Sequence, residues 1–488
     1  MRDMISFVYR KLCLVLMLWT SSLSISLAQE AGVSFTSSDK KIEQAFIWAK
    51  GMALHYKGNA ADPVGPWYES ALPPRDAFCM RDVSHQSIGG EILGLGKENR
   101  NMFTLFTSNI SASKNWCSYW EMNKSGKPAP DDYRNDKEFW YNLPANFDVL
   151  CATWKLYLWT GDKYYINDPV FVRFQEKTVK DYIDSWELDA NSLLKRPAHP
   201  NAPVPFKEED SFHRCRGLPS YSEGVPNLKT GIDLVAALYQ GLLTYSAILK
   251  EKGSEKEAAL YAQKAERYRQ HLEADWWDKK EARYYTYYSN DHQFGKEEGE
   301  TFLLWFDALK DNERIKQTIA HIASKNWNVE NTSYLPYQFY RNGYWDKARD
   351  YILYLSDPST PRREYPEVSY GVIEAIVQGL MGVIPDVRTG IVSTIYKTNG
   401  TGDATVKQLP LLHTMIDIAH TNTHQSTLHN TGKNPLKWKA MFYGRHKIAY
   451  ANGKPITVKK EVDAQGKEIS FVEITMQPGK VVSVKVQD

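Results

Sequence analysis

Between about residues 40 and 385 the chain repeats one pattern, an apolar stripe at helical spacing, a stop, a short link and a second stripe. The stretch opened by Thr230 carries Leu234, Leu238, Tyr245 and Leu249 and is closed by Gly253. Ser254 with Glu257 then reads as a capping box for a partner helix bearing Tyr261, Ala265, Tyr268 and Leu272. That unit is an αα-hairpin. It recurs as Phe302, Phe306 and Leu309 followed by Ile315, Ile319 and Ile322. A third copy runs from Ala348, Ile352 and Leu355, across a long loop, to Ile373, Val377 and Leu380. Upstream, Phe147, Cys151, Trp154 and Leu158 form one stripe that Gly161 can stop, and residues 170–186 read as its antiparallel neighbour. Roughly eleven or twelve paired helices without a fixed sequence repeat suit a closed ring better than a solenoid. The expected fold is therefore all-α, an (α/α)6 toroid of helical hairpins over residues 29–390, with a small C-terminal β-domain.

Past about residue 390 the texture changes. Lys447 to Val458 and Ile469 to Val486 alternate apolar and polar residues with many β-branched side chains, so residues 391–488 are expected to form a β-sandwich-like domain. At the other end, Arg2, Arg10 and Lys11 precede the apolar run Leu12 to Trp19, and Ser26-Leu27-Ala28 suits signal peptidase. Residues 1–28 thus read as a signal peptide, and the expected location is the periplasm or the exterior. No later run approaches the roughly 18 apolar residues of a membrane span. Removing Arg2, Asp3, Arg10 and Lys11 takes +2 from a net charge of +2, leaving a neutral chain. The 60 Lys and Arg residues form no basic stripe, which argues against nucleic acid as a partner. Cys79, Cys117, Cys151 and Cys215 lack metal-type pair spacing, and an oxidising compartment would permit disulfides without the sequence choosing a pairing.

The chemistry gathers in three loops placed just before helices. The stretch from Trp67 to Leu95 brings Glu69, Arg75, Asp76, Arg81, Asp82 and His85 together with two prolines, a set that would each need a buried partner in a core and so reads as a pocket wall. Lys207 to Gly217 and Pro361 to Gly371 repeat the mixture of charge and aromatic rings. None contains a nucleophile elbow, a phosphate loop, a zinc-protease motif or a dinucleotide fingerprint, and no metal or cofactor is expected. Two carboxyl groups facing each other across a pocket are what glycosidic bond cleavage requires, one to protonate the leaving oxygen and one to activate water or attack directly.

Glu208 to Arg214, Ile232-Asp233-Leu234 and the run from Ala274 to Tyr288 resemble, in that order, the middle of six-hairpin trehalases and related processing α-glucosidases. Pro73 to Leu95 resembles their earlier pocket loop, and Glu364-Tyr365-Pro366 their late Glu-Tyr-Pro stretch. Met80 to Gln86 also resembles a motif of exo-acting six-hairpin mannosidases. The chain departs from trehalases at Thr360-Pro361-Arg362-Arg363, where they have a glycine-rich run, and in lacking their tryptophan near Tyr370, which points away from trehalose itself.

The resemblance implies an exo-acting, inverting glycoside hydrolase acting on an oligosaccharide or glycoside. Asp210 would be its general acid, and Glu364 or Glu367 the base. Substrate contacts are expected from Trp67, Arg81, Asp82, His85, Trp140, Tyr141, Arg214, Arg363 and Tyr365. Blander readings stand beside these. Asp210 can be a cap, the late glutamates can balance Arg362 and Arg363, Arg81 and Asp82 can be a structural pair, and each aromatic ring alone can be packing. Asp233 reads better as a cap than as a catalyst. His413, His420, His424 and His429 read as a polar interface between ring and β-domain rather than as a metal site. Arg134, Arg214, Arg216, Arg362 and Arg363 raise a second possibility, a uronyl-specific hydrolase or lyase, because guanidinium forks pair with sugar carboxylates. A non-catalytic carbohydrate-binding protein is the third.

Overall fold

Outer and inner helices differ in how far round they are buried, and this sorts the chain into two layers. The computed structural model describes residues 32–487 except 72, 74, 198–215 and 226. In chain order its principal helices are α1 (Lys40–His55), α2 (Met80–Ile92), α3 (Gly96–Ser108), α4 (Ala145–Thr160), α5 (Pro169–Lys177), α6 (Ile232–Glu251), α7 (Glu255–Asp275), α8 (Glu300–Trp305), α9 (Asn312–Ala323), α10 (Leu335–Arg341), α11 (Trp345–Ser356) and α12 (Pro366–Glu374). A π-helical stretch, Ala375–Leu380, continues α12. The even-numbered helices pack in sequence, α2 on α4, α4 on α6, α6 on α8, α8 on α10, and α10 on α12 and its continuation, and α12 returns to α2. They close a ring, and the odd-numbered helices lie outside it.

The ring explains the composition of its members. Almost every residue of α4 and α6 is buried, whereas the outer α7 buries only the stripe Ala258, Tyr261, Ala265, Tyr268 and Leu272. Helix α6 is long and apolar enough to cross a membrane, but 83% of its apolar window is buried inside the protein. Close approach within the ring requires glycine. A Cβ on Gly89 of α2 would stand 2.6 Å from the Tyr370 carbonyl oxygen, and one on Gly371 of α12 would collide with the Ser333 carbonyl oxygen. Capping differs from expectation in detail. Ser254 occupies the N-cap of α7 without the expected side-chain cap bond, whereas Asp39 caps α1 through the Lys41 and Ile42 N–H groups.

The fold class is mixed α/β, with 42% helix and 23% strand, and this corrects the all-α expectation. Strands β1 (Ser34–Ser37), β2 (Ala77–Cys79) and β3 (Glu121–Asn123) precede the C-terminal set of β4 (Ile384–Asp386), β5 (Ile391–Thr394), β6 (Asp403–Leu411), β7 (Thr414–Thr421), β8 (Gln425–Asn430), β9 (Leu436–Tyr443), β10 (Ile448–Ala451), β11 (Lys454–Ile456), β12 (Lys459–Val462), β13 (Glu468–Met476) and β14 (Val481–Gln487). One sheet has the order β1-β6-β7-β8-β14-β10-β11 and the other β4-β5-β9-β13-β12. All pairs in them are antiparallel except β5 with β9. The seven-stranded sheet takes its edge strand from the N-terminal side of the chain, Phe35 pairing with Val406. The period-two pattern puts Val406, Ile418, Leu428 and Val482 in the core, in the same apolar cluster as Trp438 and Phe442 and the ring helices.

The ring and the sheets are joined by polar as well as apolar contacts. His420 accepts or donates at both nitrogens, to Ser426 Oγ at 2.8 Å and to the Met381 carbonyl oxygen at 3.0 Å, and stacks on Tyr396 at 5.0 Å. Among the described residues no group of His, Cys, Asp and Glu is arranged to hold a metal ion. Cys79, Cys117 and Cys151 are buried free thiols, while Cys215 and the proposed signal segment lie outside the described residues.

Candidate active site

The first turns of the inner helices converge at one end of the ring. Helix α2 enters from β2, and Cys79, its N-cap, supplies no side-chain cap bond. Asp82 instead sits in the exposed first turn of backbone N–H groups, where a carboxylate is favoured. It accepts from Arg81 Nε at 3.0 Å and from the Cys79 thiol at 2.7 Å. The Arg81 guanidinium lies 5.3 Å from the centre of the Tyr221 ring.

Across from this pair, Pro366 starts α12 and Glu367 falls in its first turn. Glu367 is only 6% exposed. Its carboxyl has no side-chain hydrogen bond or ion pair among the described residues. Burial pushes its pKa up to about 8, with the charge of Asp82 adding to the effect and Arg81 opposing it. A carboxylic acid so placed keeps its proton at neutral pH.

Behind them stands a hydrogen-bonded plug. Asp148, in the first turn of α4, is buried and accepts from Tyr221 Oη at 2.5 Å and from Trp305 Nε1 at 2.7 Å. His85 Nε2 lies 3.5 Å from the same carboxylate. The imidazole is packed against Trp305 and Tyr334, at 4.1 and 5.1 Å between centres, and burial holds its pKa below the usual value. Tyr221 is itself positioned by Asp233, which accepts from the Tyr221 N–H at 2.6 Å and from Ser220 Oγ at 2.8 Å. Asp233 is thus a loop anchor in the first turn of α6, and burial raises it to about 6.

One flank carries a second acidic group. Arg75 Nη2 lies 2.9 Å from Glu121, 3.2 Å from Asp132 and 3.5 Å from Asp131. The β2–β3 register places Glu121 opposite Cys79. Burial raises Glu121 to about 8 and Asp132 to about 6, Arg75 opposing both.

The expected site residues therefore separate. Arg81, Asp82, His85 and Glu367 come together. Glu364 is exposed, and its carbonyl oxygen accepts from the Tyr56 hydroxyl, while its carboxyl has no hydrogen bond or ion pair among the described residues. Arg363 turns away, donating to the Ser356 carbonyl oxygen at 2.7 Å and covering Trp48 at 4.7 Å. Tyr365 is half-buried beneath Arg362 at 5.5 Å. Trp67 is buried and donates to Asp62 at 2.6 Å, Trp140 donates to Asn142 at 2.9 Å, and buried Tyr141 donates to Asn146. Each is bonded within its own stretch of chain. Asp210 and Arg214 lie outside the described residues.

Of the remaining arginines considered for sugar carboxylates, Arg134 pairs with Glu138 and Arg362 with Glu330, and Arg216 is sandwiched by Phe139 and Trp186. Asp148, Tyr221, Trp305 and Tyr334 were not singled out from sequence. Asp148 alone had a legible signal, an acid inside an otherwise apolar helix.

No protein-family profile matches the chain, and no curated protein matches it by sequence. Solved structures do match. The α-L-rhamnosidase of Dictyoglumus thermophilum aligns with a TM-score of 0.59 at 13% identity, over 94% of this chain and 51% of its own. The GH78 family rhamnosidase of Bacillus sp. GL1 aligns with 0.53 at 12% identity, over 81% of this chain and 40% of its own. A human-microbiome protein assigned as a kojibiose phosphorylase aligns with 0.54 at 9% identity, over 97% of this chain and 73% of its own. All belong to the six-hairpin glycosidase class, to which this chain is remotely similar in fold. The chain spans about half the length of the rhamnosidases or less.

Proposed function

We propose that the chain is an exported, exo-acting glycoside hydrolase in which Glu367 gives a proton to the glycosidic oxygen. The observation that carries this reading is a buried carboxyl with no side-chain partner, poised beside the Arg81–Asp82 ion pair. Two carboxyl groups on one bond, one giving a proton to the leaving oxygen and one taking a proton from water, are the arrangement that acid and base work on a glycoside needs. Asp82 is the second group, receiving the proton of the attacking water, and Arg81 and Cys79 fix its orientation. This exchanges the role expected of Glu367, since a group that holds its proton to about pH 8 suits donation better than abstraction. Water attack on the face opposite the leaving oxygen would invert the anomeric centre.

Terminal action is supported by the plug. Asp148, Tyr221 and Trp305 are hydrogen-bonded together beside His85, a floor of the kind that would close a pocket taking one terminal sugar. Tyr221, Phe302 and Tyr334 are packed ring beside ring next to the plug. Fold similarity to rhamnosidases raises L-rhamnosides among the substrates to try, and fold alone does not choose the sugar. Export rests on the basic, apolar and small-residue order of residues 1–28.

The test is release of reducing sugar from α- and β-linked neutral and uronic glycosides by the unaltered protein and by Glu367→Gln, Asp82→Asn, Glu364→Gln and Asp210→Asn. Turnover that collapses in the first two and survives in Glu364→Gln supports the assignment. Collapse in Asp210→Asn with Asp82→Asn active moves the second role to Asp210. Tight sugar binding without turnover on any glycoside overturns the hydrolase reading.

A further inference from the structure

Behind the plug lies a cavity of about 340 Å³ to which all six inner helices contribute. That volume is near the lower end of the roughly 300–1,000 Å³ of small-molecule pockets, room for one sugar ring rather than a chain. The Trp305 indole lies between this cavity and Asp148. Its N–H donates forward to Asp148 at 2.7 Å, while its ring faces Lys155 Nζ, 3.9 Å from the centre, on the rear side. The rear mouth reaches solvent beside Ile384, which is 43% exposed, and Asp307.

Unanswered polar groups converge there. Glu374 of α12 is 3% exposed and has no side-chain hydrogen bond or ion pair among the described residues. Lys155 of α4 likewise has no hydrogen bond or ion pair among the described residues, and its ammonium lies over the indole. The side-chain oxygen of Gln240 on α6 is buried with no hydrogen-bond partner. Buried polar groups ordinarily have partners. Arg341, by contrast, is already answered, 3.3 Å from Asp307. The remaining ammonium and carboxyl groups are of opposite sign, so the cavity does not call for a charged ligand. What it presents is donors, acceptors and the flat apolar faces of Trp305 and Trp159. Burial raises Glu374 to about 7, Lys155 and Arg341 opposing, which equips the carboxyl to donate as well as accept near neutrality.

We propose that this rear cavity is a second binding site, for a neutral monosaccharide, held by Glu374, Lys155 and Gln240 against the Trp305 indole. The site stands apart from the catalytic reading and needs no turnover. Because Trp305 both lines the cavity and donates to Asp148, a sugar bound against it acts on that hydrogen bond.

The experiment titrates rhamnose, glucose, galactose, mannose and xylose, with glucuronate as the charged control, into the full chain carrying Glu367→Gln and Asp82→Asn. Binding is followed by tryptophan fluorescence and calorimetry. One neutral sugar is expected to bind saturably, at least tenfold more tightly than glucuronate, and at least tenfold more weakly when Glu374→Gln is added. Hydrogen exchange on the unaltered protein supplies a readout independent of any variant's folding. Protection at residues 151–159, 335–341 and 374–380 is the expected result. Saturable binding by none of the sugars, protection confined to residues 79–92 and 366–372, or tighter binding of glucuronate would each overturn the proposal. Absence of hydrolysis by the unaltered protein on every glycoside, with rear binding intact, would strike the catalytic reading alone.

Discussion

Glu364 and Glu367 are three positions apart in one short acidic stretch, and the fold separates them by a single event, the start of a helix. Tyr365 takes the extended N-cap conformation and Pro366 the first helical position, so Glu367 joins the first turn facing the ring while Glu364 stays ahead of it in solvent. Sequence showed the candidates but not which side of the helix start would be buried. With Glu367 as proton donor, the active form is the protonated one. Its pKa lies at about 8, so kcat/KM should hold below that pH and fall as pH rises through it. A profile whose alkaline limb persists unchanged in Glu367→Gln would assign the limb elsewhere. Asp148→Asn tests the plug. The amide can no longer accept at both oxygens, and one of the buried Tyr221 and Trp305 donors loses its partner. A cost of about 1–3 kcal/mol is expected from urea unfolding.

At the scale of elements, the outer helices were easiest to read, because each needs an apolar stripe and a polar back. Inner helices such as α4 and α6 are buried nearly all round, so their pattern carries less direction, and the acid that matters in α4 looked like one more exception. Short strands such as β1, β2 and β3 give too few residues for a period to register. Their partners are distant in sequence, and β1 is recruited by β6 from far down the chain. The close contact of α12 with Ser333 makes a specific prediction. Gly371→Ala forces a methyl group onto a backbone carbonyl, which cannot rotate away, and should cost about 1–3 kcal/mol. Because Gly371 lies one turn beyond Glu367, kcat should fall more than the loss of folded protein explains. An unchanged urea midpoint would show that the two segments separate at no cost.

For the whole molecule, buried titrating groups set how stability follows pH. Glu91 and Glu374 are raised to about 7 and Glu121 and Glu367 to about 8, all chiefly by burial. Each binds its proton more tightly folded than unfolded, so its contribution is complete below the unfolded value and is lost as pH rises from about 4.5 toward 8. His321 and His420 are lowered to about 4 by burial, and these oppose folding as pH falls below about 6.5, when the unfolded chain takes up protons that the folded one refuses. Urea midpoints between pH 4 and 9 should therefore peak in the mildly acidic range, and Glu121→Gln should flatten the alkaline decline. A midpoint rising steadily to pH 9 would contradict this.

The joining of ring and sheets was legible only in part. The histidine-rich segment announced a polar interface, but a seven-stranded sheet that also takes in β1 depends on a pairing across most of the chain.

The central claim is that Glu367 delivers a proton to the leaving oxygen, and the most direct measurement compares leaving groups. Glu367→Gln should lose roughly 10²–10⁴-fold on an alkyl glycoside, whose oxygen needs the proton. It should keep most of its rate on a dinitrophenyl glycoside, whose leaving group departs without one. Equal losses on the two substrates would contradict the account and return Glu367 to the role of base.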